Sequence, residues 1–237
     1  DKWKPVLDYN EKEPRDGYDL HTTLNIEIQD VVHHALLKQL EYYEAEHGTV
    51  VVMETNTGEI KAISNLGRTS DGKYYEKLNY AVGESHEPGS TFKLMAIVRA
   101  LEDKVIDTAD IIDTKSGVLT FYGKKVKDSK KGGYGKISAA RAFEVSSNTA
   151  LVQIINDNYK EHPELFVEGL FGMKINEPLG LPILGEGQPL FTHPSDKVNW
   201  DGLDLPWMAF GYGISLTPLQ TLPFYNAIAN DGIMVKP

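Results

Sequence analysis

Residues 87–98 read E-P-G-S-T-F-K-L-M-A-I-V. A Pro-Gly pair breaks the chain, and the run after it is apolar except for Ser90, Thr91 and Lys93. Such a run must bury at least one face, and its spacing predicts a helix over 90–103 that starts at the break. Any fold of this chain therefore places one lysine at the head of a core helix. Two readings are open. Lys93 is a surface residue on an ordinary helix, or it is a buried base beside a serine.

On a helix, residues three apart share a face, with β-carbons roughly 5–6 Å apart. Ser90 and Lys93 touch if the helix begins at or before Ser90. A serine hydroxyl is a weak nucleophile until a base takes its proton. Lysine is a base only when neutral, and burial favours the neutral form by penalising charge. The free N–H groups of a helix start disfavour a protonated lysine and can hold an oxyanion. The pattern S-x-x-K alone decides little, because Ser70-Asp71-Gly72-Lys73 has it too. That copy lies in a polar, glycine-containing turn and is expected to carry no chemistry. A second element lies at 144–152, E-V-S-S-N-T-A-L-V, with the chain's single S-x-N at Ser146-Ser147-Asn148. It falls between two helical patterns, where a hydroxyl and an amide can relay a proton and grip a substrate amide. The plainer alternative is that Asn148 caps the helix after it.

Composition narrows the classes. With 237 residues, 41% hydrophobic and 24% charged, the chain can bury a core as one large domain or two small ones. A net charge of −10 argues against a nucleic-acid partner, which asks for a basic footprint. The absence of cysteine removes disulfides, thiol catalysis and cysteine zinc sites. No run of 18 apolar residues offers a membrane span. The start D-K-W-K-P lacks a signal peptide's apolar region, so the chain reads as a processed product or an excised piece. The seven histidines form no H-x-x-x-H or H-E-x-x-H, and neither metal nor cofactor is expected.

Residues 1–17 read as a polar lead-in and Asp19–Leu24 as a short strand. Asn25 stands where a cap belongs, and Ile28, Val32, Ala35, Leu36, Leu40 and Tyr43 recur at helical spacing, which predicts a helix over 26–46. Tyr42 and Tyr43 are expected half-buried on it. G-T-V-V-V-M-E at 48–54, the turn T-N-T-G and a return at 59–64 predict a β-hairpin. Short strands are expected at 117–121 and 124–128, then a basic glycine-rich loop at 129–136 and helices at 138–144 and 149–157. Residues 172–206 read mainly as loop. Thr217, Pro218 and Gln220 form a capping box for a last helix that stops at Gly232. Pro223 inside it is expected to bend it or weaken a turn. The tail V-K-P reads as the approach to another strand. This order indicates an α+β fold with a helical insertion.

S-x-x-K followed by S-x-N is the order found in penicillin-binding proteins and serine β-lactamases. E-P-G-S-T-F-K at 87–93, S-S-N at 146–148, F-G-Y-G-I-S-L-T-P-L-Q at 210–220 and the hairpin at 50–64 together resemble the transpeptidase domain of a class B penicillin-binding protein. The form of the G-Y-G…T-P-L-Q segment is closer to division-type than to elongation-type members. The resemblance implies a penicillin-binding/serine β-lactamase-like fold, an antiparallel sheet packed by helices plus a helical subdomain. On that basis 18–65 and about 208–237 belong to the sheet part and 66–207 to the helical part. It implies that Ser90 attacks D-Ala-D-Ala peptides, with Lys93 as base, Ser146 passing a proton to the leaving amine and Asn148 binding the substrate amide. The acyl group then moves to an amine of a neighbouring peptidoglycan stem peptide, and β-lactams acylate Ser90. Partners from the division or elongation machinery follow from the same resemblance. So does an extracytoplasmic location, anchored by an N-terminal segment outside this sequence.

The family also carries a K-T-G or K-S-G strand after the last helix, and none follows Asn148. Lys115-Ser116-Gly117 matches in letters but precedes the S-x-N and reads as a decoy. Truncation before the K-T-G strand is the expectation, and with it a fragment without activity of its own. The competing functions are a serine β-lactamase and a non-catalytic β-lactam sensor or division scaffold. Packing is the default for Trp200 and Trp207.

Overall fold

Asn25 ends an irregular approach and starts a helix. In the computed structural model, which describes residues 15–237, its side chain accepts hydrogen bonds from the N–H groups of Glu27 and Ile28. Such a cap contributes about 1 kcal/mol. The helix, α1, runs Ile26–Tyr43 and ends where Glu44 turns left-handed at φ 50°. Its buried stripe is Val32, Leu36 and Leu40. Ala35, Tyr42 and Tyr43 face solvent. The two tyrosines, expected half-buried, instead meet edge to face in the open.

The expected strand at Asp19–Leu24 does not form. Residues 15–24 are exposed and without regular structure. A strand needs a ladder, and among the described residues this stretch hydrogen-bonds the neighbouring sheet through Thr23 Oγ1, which donates to Ile60 O, and through the following Asn25 N–H, which donates to Lys61 O. Further along, the edge is taken by a side chain. The Gln29 amide donates to Ile63 O at 2.8 Å and accepts from Ile63 N–H at 2.9 Å, standing in for a strand. The lead-in up to residue 14 lies outside the described residues.

The expected hairpin forms, with a return strand that runs four residues past Ser64. Strand β1 (His47–Met53) pairs antiparallel with β2 (Ile60–Arg68), Val50 opposite Ser64, with an irregularity between Val52 and Met53. A two-residue β3 (Tyr74–Tyr75) joins the far end of β2. Leu36, Leu40, Leu66 and Tyr74 make a small core between α1 and this sheet. A short helix α2 (Tyr80–Gly83) comes next.

The larger core belongs to the helices. A 3-10 turn at Gly89–Phe92 feeds α3 (Lys93–Glu102). Strand β4 (Ile111–Asp113), the hairpin β5 (Val118–Phe121) with β6 (Lys124–Lys127), and β7 (Lys136–Ser138) come after it, β4 pairing with β7. The chain continues into α4 (Ala139–Glu144), α5 (Asn148–Tyr159) and α6 (Pro163–Gly172). Met95, Ala96 and Ala100 of α3, Leu151, Val152 and Ile155 of α5, and Phe166, Val167 and Leu170 of α6 are all fully buried in one cluster. Each large apolar side chain in it contributes about 1.5–3 kcal/mol. Helix α6 was not foreseen, although Pro163 at its first turn and the Phe166, Val167, Leu170 spacing announce it.

Residues 173–203 are mainly loop, with one short strand β8 (Leu190–Phe191) paired to β9 (Ile214–Ser215) beyond the short helix α7 (Asp204–Met208). The last helix, α8 (Pro218–Ala229), has the expected capping box, Thr217 accepting from Gln220 N–H and Gln220 from Thr217 N–H. It runs on through Pro223, which lies on its buried side with Leu219, Phe224 and Ala227, so packing offsets the missing donor. The final residues form no strand. The architecture is α+β, as expected.

Candidate active site

Ser90 stands exposed on the 3-10 turn, and Lys93 is the first residue of α3. The Lys93 N–H donates to Ser90 O, and in a 3-10 turn residues three apart eclipse. Serine and lysine thus lie on one line, as the spacing requires. Phe92 between them is fully buried and pins the turn to the core.

The turn is held from the far end of the sequence. Gly89 N–H donates to Gly211 O at 3.0 Å, Gly213 N–H to the Glu87 carboxylate at 2.9 Å, and the Tyr225 hydroxyl to Thr91 O at 2.7 Å. Gly211 has φ +86°, and a Cβ there would collide with the Gly89 carbonyl. The first glycine of G-Y-G is thus explained by a backbone-to-backbone approach that only glycine permits, and the second, Gly213, by its left-handed φ of +71°.

Lys93 is 1% exposed. Its Nζ donates to Ser146 O at 2.7 Å, Ser146 Oγ at 2.9 Å and Asn148 Oδ1 at 2.5 Å. Every proton of the ammonium has an acceptor, and all three acceptors lie on the S-x-N. Burial still pulls its pKa down, from 10.5 to about 8, while the negative charge of Asp128 works the other way. Near pH 7 about a tenth of such lysines are neutral. The structure gathers Lys93, Ser146 and Asn148 into one contact set, while among the described residues the Ser90 hydroxyl makes no hydrogen bond.

The break between α4 and α5 presents these acceptors. Ser146 is left-handed at φ 53°. Ser147, not Asn148, caps α5, accepting from Ala150 N–H. The alternative that Asn148 serves as the cap is therefore set aside, and its amide is free to bridge Lys93 and the Lys127 carbonyl, to which Nδ2 donates at 2.8 Å. Asp128, at the end of β6, locks the break. Its carboxylate accepts from Ser147 Oγ at 3.0 Å, Thr149 N–H at 3.0 Å and Thr149 Oγ1 at 2.7 Å. Asp128 was missed in the sequence, where K-V-K-D carries no motif and the partners lie 19 and 21 residues away.

The look-alikes sit elsewhere. Ser70 and Lys73 lie on the turn between β2 and β3. Lys115 and Ser116 are exposed in the turn after β4, where Gly117, at φ +71°, touches the backbone of Gly133.

The profile of the penicillin binding protein transpeptidase domain matches residues 48–237. The chain belongs to this transpeptidase family. It is 28% identical over 239 residues to penicillin-binding protein PbpB of Mycolicibacterium smegmatis, covering 96% of this chain and 35% of that protein. It is 26% identical over 232 residues to stage V sporulation protein D of Bacillus subtilis, covering 94% and 35%. To peptidoglycan D,D-transpeptidase FtsI of Escherichia coli K12 it is 24% identical over 233 residues, covering 96% and 38%. The transpeptidase chain thus spans little more than a third of these curated relatives. The fold is that of a solved transpeptidase domain, from Burkholderia pseudomallei penicillin-binding protein 3, with TM-score 0.71 at 23% identity over 93% of this chain and 61% of that one. A peptidoglycan glycosyltransferase structure from Burkholderia ambifaria gives 0.74 at 23% identity, over 91% and 63%.

Proposed function

We propose that this chain carries the acyl-enzyme chemistry of a peptidoglycan D,D-transpeptidase, with Ser90 as nucleophile and Lys93 as its base. The observation that carries the reading is Lys93 itself, a buried, fully hydrogen-bonded lysine with its pKa near 8, eclipsed with an exposed serine. Neutral Lys93 takes the proton as Ser90 Oγ attacks the penultimate D-Ala carbonyl. The C–N bond to the terminal D-Ala then breaks, and the proton reaches the leaving amine through Ser146, whose hydroxyl already touches Lys93 Nζ. Asn148 orients Lys93 and binds the substrate amide. An amine of a second stem peptide attacks the Ser90 ester, gives up a proton, and restores Ser90. β-Lactams acylate the same hydroxyl.

From the likeness to a relative named as a peptidoglycan D,D-transpeptidase, and from the division-type form of the G-Y-G…T-P-L-Q segment, we propose that the longer protein works in division-type wall synthesis outside the cytoplasmic membrane. No helix among the described residues is long and apolar enough to cross a membrane.

The test uses the full-length protein, a stem peptide ending in D-Ala-D-Ala and a labelled amine acceptor. The expected result is release of D-Ala with transfer of the acyl group to the acceptor, both abolished in Ser90→Ala. Hydrolysis without transfer, or turnover that survives Ser90→Ala, would overturn the reading.

A further inference from the structure

Charge is unevenly spread along this chain. Seven of its 24 lysine and arginine residues fall within 115–136, where Asp128 is the single acid. The remaining residues carry 17 basic against 33 acidic side chains. A molecule with net charge −10 therefore contains a stretch that is strongly positive.

Packing gathers this stretch into one lobe. Gly117 and Gly133 meet backbone to backbone, so closely that a Cβ on Gly117 would stand 2.6 Å from Gly133 N. Asp128 N–H donates to Gly117 O and Thr114 N–H to Gly135 O, both at 2.9 Å. The turn before β5, the end of β6 and the loop up to β7 thus share one surface. All seven lysines on it are exposed. None of them is in an ion pair among the described residues. Asp128 is spent inward on Ser147 and Thr149. Asp113, opposite Lys136 on the β4–β7 ladder, accepts from the N–H of Lys115.

The lobe is continuous with the site, since Asn148 Nδ2 bonds the carbonyl of Lys127. Positive charge beside a site on a negative molecule draws anions to that site while the remaining surface repels them. We infer that the lobe at 115–136 is an electrostatic docking surface for carboxylate-rich peptides ending in D-Ala-D-Ala, holding the acyl donor beside Ser90. The identity of the peptide rests on the transpeptidase reading. Exposed lysines act through water, so the attraction follows the Debye length, about 30 Å at 0.01 M salt and about 8 Å at 0.15 M.

The experiment measures fluorescence anisotropy of a labelled stem peptide with free carboxylates on full-length protein carrying Ser90→Ala, where no acylation intrudes. A second protein adds Lys124→Glu, Lys125→Glu and Lys131→Glu, three exposed side chains away from the Lys93 contacts. At about 0.01 M salt the lobe variant is expected to bind about tenfold more weakly. The intact lobe loses several-fold in affinity by 0.15 M, and the variant stays flat. A peptide with its side-chain carboxylates amidated binds both proteins alike. Equal affinity for the two proteins overturns the inference, as does no peptide binding to either. Lobe-dependent binding to phosphatidylglycerol vesicles without peptide binding overturns it too. Fluorescent penicillin is run in parallel on the Ser90-bearing forms. A labelled lobe variant shows that it is folded. A wild type that takes no label counts against the transpeptidase reading and leaves the anisotropy result to decide the lobe.

Discussion

Ser70 and Lys73 lie on the β2–β3 turn, where the Lys73 side chain keeps 67% of its surface and meets Asp71 at 3.4 Å. Ser90 and Lys93 lie twenty residues later, where a 3-10 turn enters a core helix and Lys93 keeps 1%. The letters are the same and the spacing is the same. Two things differ. The second lysine is taken out of water, which pulls its pKa to about 8, and three acceptors from the Ser146–Asn148 break replace the water it lost. The motif is proposed to have chemistry only where the rest of the chain supplies burial and partners.

The contrast is sharpest at the lysines. Lys93→Met is expected to slow acylation by fluorescent penicillin about 10²–10⁴-fold, the usual worth of a general base. Lys73→Met leaves it unchanged. The check is the second-order labelling rate of the full-length protein. Comparable losses in both variants would erase the distinction.

The pH profile comes next. With neutral Lys93 as the proposed base, labelling is expected to rise with pH and level off above about 8. Asp128 raises that pKa, so Asp128→Asn moves the inflection to lower pH. The variant also turns one of the two carboxylate oxygens that accept from Ser147 and Thr149 into an amide NH2, which cannot accept, at a cost of about 1–3 kcal/mol in stability. A labelling profile whose inflection stays put in Asp128→Asn would separate Asp128 from Lys93 and leave it only a scaffold role.

The glycines give the smallest contrast. Gly211 and Gly72 both have positive φ, +86° and +83°. Ala at Gly72 meets nothing closer than Arg68 Nη2 at 3.8 Å, so its cost is the left-handed backbone alone, about 1–2 kcal/mol. Ala at Gly211 adds a collision with the Gly89 carbonyl, which must displace the turn that carries Ser90. Denaturant melts are expected to show the larger loss for Gly211→Ala, and only that variant slows labelling. Equal losses would mean that the G-Y-G contact does not position the nucleophile turn.

Much of this was legible from local pattern. Asn25, the hairpin expected at 48–64 and the Thr217–Gln220 box are each specified by residues within a few positions of one another, and each forms, the return strand of the hairpin running on to Arg68. What failed depends on distant partners. Asp19–Leu24 has strand-like alternation but no free edge, since the Gln29 side chain takes Ile63. Tyr42 and Tyr43 fit the helical stripe and still face water, because the small core beneath α1 stops at Leu40 and Tyr74. In the site, the spacing of Ser90 and Lys93 pointed to a shared face. That Lys93 bonds the S-x-N and that Asp128 clamps both Ser147 and Thr149 are tertiary facts with no sequence signature, whereas the cap by Ser147 is a local contact that the helical pattern after it could have announced.

Of the two S-x-x-K copies, then, only one is proposed as a nucleophile with its base. Incubating the full-length protein with a penicillin and mapping the adduct by peptide mass spectrometry tests this directly. The expected result is one adduct per chain, on the peptide that contains Ser90, with the Ser70 peptide unmodified. An adduct on Ser70, or a Ser90 peptide that stays unmodified while the protein is labelled, would contradict it.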